Sequence, residues 1–314
     1  MKARRIVADV GGTNSRFGIS AGPGDLGEVR IYPTSGGASF TDALATYVGD
    51  IGGRAASGCC ESMCIAAAGP VDGGVVRLTN AAWSISAREV SQFLGGVPVA
   101  LVNDLEAVGL LLPHLQPADV APIGGLDRAA LTGNRIAVNV GTGFGAATAV
   151  RSGSGRWAIA AGEAGHMSLA LASAEEAAML GAGATIEDFI SGAGVGRLHA
   201  AHMQEGKGAT AHSADAVFAA VGSDQAAART VAMLSRLLGR ITGDLVLATA
   251  AWDGAFLCGS VARAWLAVAD VAAFRSAFES KGPMRERMAR VPTFLISQSE
   301  PALMGLTHAE AAAG

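Results

Sequence analysis

Two stretches decide the reading of this chain: IVADVGGTN at 6–14 and IAVNVGTGF at 136–144. Each runs as an apolar strand into a glycine turn and out into a second strand. Laid side by side, they place Asp9 opposite Asn139, a carboxylate against an amide. The pair reads as an internal duplication, two α/β units of which the second opens at Arg135.

Working outward from the first stretch, residues 4–10, 14–20 and 27–33 read as strands of a meander, separated by glycine turns at Gly11–Gly12 and Gly22–Gly24. A helix is expected at 39–49, capped by Ser39 or Thr41, then strands near 62–67 and 74–78, a helix near 86–94 and a buried strand at 97–102. Asn103 and Asp104 follow that strand, at the carboxyl end where open α/β sheets place ligands. In the second unit Val231, Leu234, Leu238, Ile241 and Leu245 recur at helical spacing within 224–250. Ser299, Glu300 and Pro301 start a terminal helix that would fold back on the first unit. With 314 residues the chain suits two domains, expected here as 1–106 plus 299–314 and as 107–298.

Composition excludes several classes. The greasiest runs, 245–252 and 264–274, are bounded or broken by Asp244, Asp253 and Asp270, far short of the ~20 residues of a membrane span. The apolar stretch after the basic start is shorter than the roughly 7–15 residues of a signal peptide and contains Asp9, so a cytoplasmic protein is expected. A net charge of −4 without basic blocks speaks against nucleic acid and anionic membranes and for small-molecule partners. Cys59, Cys60, Cys64 and Cys258 form no CxxC pair, so reduced, mostly buried thiols are expected.

The turn Asp9-Val-Gly-Gly-Thr13-Asn14 suits phosphate: glycines let backbone amides approach the oxygens, Thr13 adds a hydroxyl, and Asp9 could hold Mg2+ directly or through water. A plain hairpin with a surface aspartate fits this turn equally well. Gly141-Thr142-Gly143 repeats the design, and two such loops could clamp a polyphosphate. The GxxxxGK[ST] pattern is absent. GTGFGA at 141–146 matches a dinucleotide fingerprint with Glu163 downstream, but the residues after it read as strand, turn, strand where a fingerprint opens a helix. GPGDLG at 22–27 likewise leads into a strand. His199 and His202 have a spacing that could bind metal, although a solvated helix face is the expected setting.

The segments DVGGTN, LVND, GTGFG, GEAGH and IEDFISG, in this order over nearly the whole chain, resemble those of bacterial glucokinases of the non-zinc type. The resemblance implies the hexokinase and actin-like ATPase fold: two ribonuclease-H-like α/β lobes, substrates in the cleft, and transfer of phosphoryl from MgATP to the 6-hydroxyl of glucose. It implies that Asn103 and Asp104 meet sugar hydroxyls, with Asp104 as catalytic base, and that Glu163, His166 and Glu187 bind hydroxyls at the other end of the ring. Ala8, Asp9, Val10, Gly11, Gly12, Thr13, Asn14, Gly141, Thr142, Gly143 and Gly259 would line the nucleotide, Asp9 holding the metal through water. A homodimer is expected by the same resemblance.

Taken singly, these residues have plainer readings: His166 in the core, Glu187 on a helix face, Asp104 as cap of a helix at 105–112. The segment FLCGSVAR at 256–263 departs from the family's Gly-Gly and proline with Ser260 and Ala262, which leaves the adenine contacts open. Thr79, Asn80 and Trp83 keep a family pattern bordering the sugar. Rival readings are a kinase for another hexose or an amino sugar, and a non-catalytic sugar sensor, for which no helix-turn-helix is seen ahead of the first strand.

Overall fold

Both repeats fold as strand, glycine loop, strand. In the computed structural model, which describes residues 4–34, 39–52, 60–78, 83–124, 126, 132–181, 183–203 and 212–309, β1 (Arg5–Val10) turns into the antiparallel β2 (Asn14–Gly22), and this into β3 (Asp25–Pro33). α1 (Phe40–Asp50) opens with a reciprocal cap. The Ser39 hydroxyl accepts from the Asp42 amide at 3.2 Å, and the Asp42 carboxylate accepts from the Ser39 amide at 2.8 Å.

β4 (Ser62–Ala67) runs parallel to β1 on its other side. A small sheet of β5 (Val71–Asp72), β6 (Val75–Arg77) and β7 (Ser84–Ser86) then leads through α2 (Ala87–Phe93) to β8 (Val99–Asn103), parallel to β4, and α3 (Asp104–Leu111) leaves the end of β8. The main sheet has the order β3-β2-β1-β4-β8. Ile6, Val7, Ala8 and Val10 of β1 are all buried, as expected of a central strand covered on both faces.

The second unit repeats this plan. After β9 (Val120–Pro122) come β10 (Arg135–Val140), β11 (Phe144–Arg151) and β12 (Trp157–Gly162) as a meander. A helical run follows: α4 (Ala174–Leu180), α5 (Ile186–Phe189), α6 (Gly192–His202), α7 (Ala214–Ala220) and α8 (Gln225–Thr249). β13 (Ala255–Cys258) lies parallel to β10, and after α9 (Ser260–Leu266), α10 (Val271–Glu279) and α11 (Arg285–Ala289), β14 (Thr293–Ile296) lies parallel to β13. The order β12-β11-β10-β13-β14-β9 matches the first sheet strand for strand, except for the added antiparallel edge β9. Duplication is therefore visible in topology as well as in sequence, and each unit is a ribonuclease-H-like α/β fold. The strand-turn-strand course of residues 144–162 also disposes of the dinucleotide-fingerprint alternative.

The two loops differ by one residue: Val10 pairs with Ser15, whereas Val140 pairs with Phe144. The apolar stripe of α8, Val231, Leu234, Leu238, Ile241 and Leu245, is wholly buried. α12 (Pro301–Leu306) returns to the first unit and packs along α3, where the Arg5 guanidinium donates to the Leu306 carbonyl at 3.2 Å. The compact units are Met1–His114 with Ser299–Gly314, and Leu115–Gln298. The expected boundary after residue 106 falls inside α3, which is one continuous helix.

Among the described residues no helix is long and apolar enough to cross a membrane. Cys60, Cys64 and Cys258 are buried thiols not joined in disulfides; Cys59, Thr79 and Asn80 lie outside the described residues, and Trp83 is a core residue. His199 is not on a solvated face, and His202 is half-buried. His199 is only 4% exposed, its Nε2 is 3.0 Å from an Asp224 carboxylate oxygen, and that carboxylate also caps α8. His202 turns its Nδ1 to within 2.8 Å of the Leu198 carbonyl.

Candidate active site

In the first unit, the site is built where β1 and β8 end. Asp9 is the last but one residue of β1, directly across from Arg16 of β2. Its carboxyl is pushed up to about 7, first by burial; Arg16 pulls it down, while Asp104 and Glu300 push it up further. The nearest Arg16 nitrogen stands 3.8 Å from Asp9 Oδ2, and Arg16 Nε stands 3.0 Å from Glu300 Oε2. Two acids, Asp9 and Glu300, thus share one guanidinium. Among the described residues no group of three or more His, Cys, Asp or Glu could hold a metal unaided. A site of few carboxylates fits Mg2+ that is held mainly by phosphates and water.

The loop Gly11–Asn14 is closed by the Gly11 amide donating to the Asn14 carbonyl at 3.0 Å. From the end of β3, the Thr34 hydroxyl donates to the Gly11 carbonyl at 2.8 Å and lies 3.0 Å from the Ser15 hydroxyl, and the Thr34 amide donates to the Thr13 carbonyl at 2.9 Å. Among the described residues no protein group accepts from the Gly12 or Thr13 amides. Ala8 and Val10 bury their side chains and offer only backbone to a ligand.

Asn103 closes β8 and is the true cap of α3, its side-chain oxygen accepting from the Leu105 amide at 2.9 Å. Asp104 is the first helical residue rather than the cap, and its Oδ1 accepts from the same amide at 2.9 Å.

In the second unit, Asn139 occupies on β10 the place of Asp9 on β1, and the Cys258 thiol donates to its side-chain oxygen at 3.7 Å. The Gly141 amide donates to the Gly143 carbonyl at 3.0 Å, and the Gly192 amide at the start of α6 donates to the Gly141 carbonyl at 2.9 Å. No acceptor among the described residues takes the Thr142 or Gly143 amides, as at the first loop. Gly259 has φ +96° and presses on the end of β10, where a Cβ would lie 2.6 Å from the Asn139 oxygen and collide with the Val140 carbonyl. No side-chain-bearing residue fits there without strain.

Glu187, in the first turn of α5, accepts from the Phe144 amide at 2.8 Å, and a Cβ on Gly143 would lie 2.5 Å from its carboxylate. The loop glycine therefore makes room for the acid. Glu163 and His166 flank a short turn after β12, with His166 Nε2 4.0 Å from Glu163 Oε2 and side chains 70% and 76% exposed. That turn is pinned to α5 by the Ile186 amide, which donates to the Met167 carbonyl at 3.0 Å. Glu163, His166 and Glu187 thus gather on one side of the second loop. Arg16, Thr34 and Glu300 were missed by sequence reasoning. Only Arg16 had a signal, since hairpin register alone places it opposite Asp9.

A family profile described as Glucokinase matches residues 6–313. The glucokinase of Nitrobacter hamburgensis is 33% identical over 318 residues, spanning 98% of this chain and 97% of its own. The bifunctional glk protein of Burkholderia pseudomallei is 32% identical over 311 residues, spanning 96% of this chain but 48% of its own, so this chain covers about half of that relative. Among solved structures, a glucokinase from an Antarctic psychrotroph aligns over 98% of both chains with TM-score 0.82 and 26% identity. An ROK family glucokinase of Streptomyces griseus, in complex with glucose and AMPPNP, shares the fold at TM-score 0.64 and 22% identity, over 97% of this chain and 98% of its own. With the profile spanning the chain from β1 to its C-terminal residues, the chain belongs to the glucokinase family.

Proposed function

We propose that the chain transfers the γ-phosphoryl group of ATP to the 6-hydroxyl of D-glucose, giving glucose 6-phosphate and ADP, with Asp104 as general base. The observation that carries this reading is the Asn103–Asp104 pair, an amide and a carboxylate at the end of a parallel strand and the start of α3. Family membership and the glucose and AMPPNP held by the Streptomyces griseus protein support it.

In this reading Asp104 accepts the O6 proton as the O6–Pγ bond forms, the bond from Pγ to the bridging oxygen breaks, and ADP leaves with its electron pair. Asn103, Glu163, His166 and Glu187 fix the ring hydroxyls; a mixed set of acceptors and donors is what a polyol needs. Gly11–Asn14 and Gly141–Gly143 take the phosphates through backbone amides, and Gly259 borders the adenosine. Asp9 would hold Mg2+ through water, and the ion neutralises phosphate charge when bound. Phosphoryl transfer rests mostly on such positioning and charge neutralisation, so a single base suffices. The proposal extends to a cytoplasmic homodimer, tested by light scattering.

The test is coupled ADP release with MgATP and glucose, mannose, fructose, glucosamine and N-acetylated sugars. Release strongest with glucose supports the reading. Preference for another sugar replaces the substrate while keeping Asp104, and silence with sugar still bound turns the reading to a sensor.

A further inference from the structure

Asp9 and Arg16 face each other directly across β1 and β2. An acid and a base facing each other in that register ordinarily close into a contact pair. Here the pair is loose: the guanidinium stands 3.8 Å from Asp9 Oδ2, while its Nε lies nearer, 3.0 Å, to Glu300 Oε2 in an ion pair without hydrogen-bond alignment. Glu300 immediately precedes α12, whose position is fixed independently by Arg5 donating to the Leu306 carbonyl and by the Gly24 amide donating to the Thr307 hydroxyl at 2.9 Å. The side chains of Asp9, Arg16 and Glu300 are 20%, 31% and 22% exposed, so water screens this competition only partly.

We propose that Glu300 is a positioning residue that draws the Arg16 guanidinium off Asp9, leaving the Asp9 carboxylate open to the divalent ion of the nucleotide. The proposal rests on the reading of Asp9 as the residue that holds the ion. Without the Glu300 charge, Arg16 settles on Asp9, and a cation must displace a guanidinium before it can bind. The donor set suits this role: Asp9 offers carboxylate oxygens that would accept hydrogen bonds from the waters of Mg2+, and Asp104 nearby adds negative field without completing a metal cage.

The experiment is calorimetric titration of ADP with and without saturating Mg2+, reading the gain in affinity that the ion confers, with a thermal melt to check folding. Glu300→Gln is expected to cut the Mg2+ gain by roughly fivefold to tenfold while ADP binding without the ion changes little. The double variant Glu300→Gln with Arg16→Gln restores the gain, because the competitor for Asp9 is gone. Glu300→Asp, which keeps the charge on a shorter stem, gives an intermediate loss and serves if Glu300→Gln does not fold. An unchanged gain in Glu300→Gln, or a loss that the double variant does not repair, overturns the proposal. A wild-type protein that binds ADP equally with and without Mg2+ overturns instead the reading of Asp9 beneath it.

Discussion

The Thr34 hydroxyl donates to the Gly11 carbonyl at 2.8 Å, so the first glycine loop is anchored from the end of a strand that is not its own neighbour in sequence. Thr34 is 3% exposed and its amide also holds the Thr13 carbonyl. Thr34→Val removes the hydroxyl from a buried site and leaves the Gly11 carbonyl and the Ser15 hydroxyl short of a partner, a cost of about 1–3 kcal/mol. Urea denaturation should show that loss. The KM for ATP should rise several-fold with kcat less affected, and Thr34→Ser should recover most of both.

Asp104→Asn keeps the shape at the start of α3 and removes the base. Turnover is expected to fall by roughly a hundredfold to ten-thousandfold, with glucose affinity by calorimetry held within about tenfold. Near-normal turnover would remove Asp104 from the role of base.

At Gly259, an added methyl meets both an unfavourable φ of +96° and the end of β10. Gly259→Ala is expected to destabilise the second unit by about 1–3 kcal/mol and to weaken nucleotide binding. A melt matching wild type would show that the contact relaxes at no cost.

His308 stacks on His114 with ring centres 3.8 Å apart, and burial first, then the charge of His114, pushes its pKa down to about 4 from 6.5. The folded state therefore binds this proton less readily than the unfolded chain. Stability is full above pH 6.5 and declines as the pH falls toward 4, by of order 1–2 kcal/mol after allowance for solvent screening. His308→Phe keeps an aromatic ring on His114 and should flatten that slope, which denaturation at pH 7.5 and pH 5 measures.

What the sequence discloses here is local and periodic. Apolar runs stopped by Gly11–Gly12 and Gly141 announce β1 and β10, and Ser39 announces α1, because each signal lies within a few residues of its effect. The Asn103–Asp104 pair was legible as a site, but both residues are good cap formers, and only geometry assigns the cap to Asn103. Burial of His199 was illegible because its partner Asp224 lies 25 residues downstream, beyond a connection whose course no local pattern fixes. The roles of Thr34 and Glu300 were illegible for the same reason, Thr34 on a similar scale and Glu300 on a far longer one: their partners arrive only when β3 and α12 have returned to β1.

The return of α12 to the first unit also sets an order of events on the ribosome. Residues 301–306, which cover α3, are synthesised only after all of 115–298, so the second unit is contiguous and can fold while the first still lacks a wall. Until then the face of α3 that Gly305 will meet is uncovered. Chaperone engagement during synthesis is therefore expected on the half of the protein that emerged first.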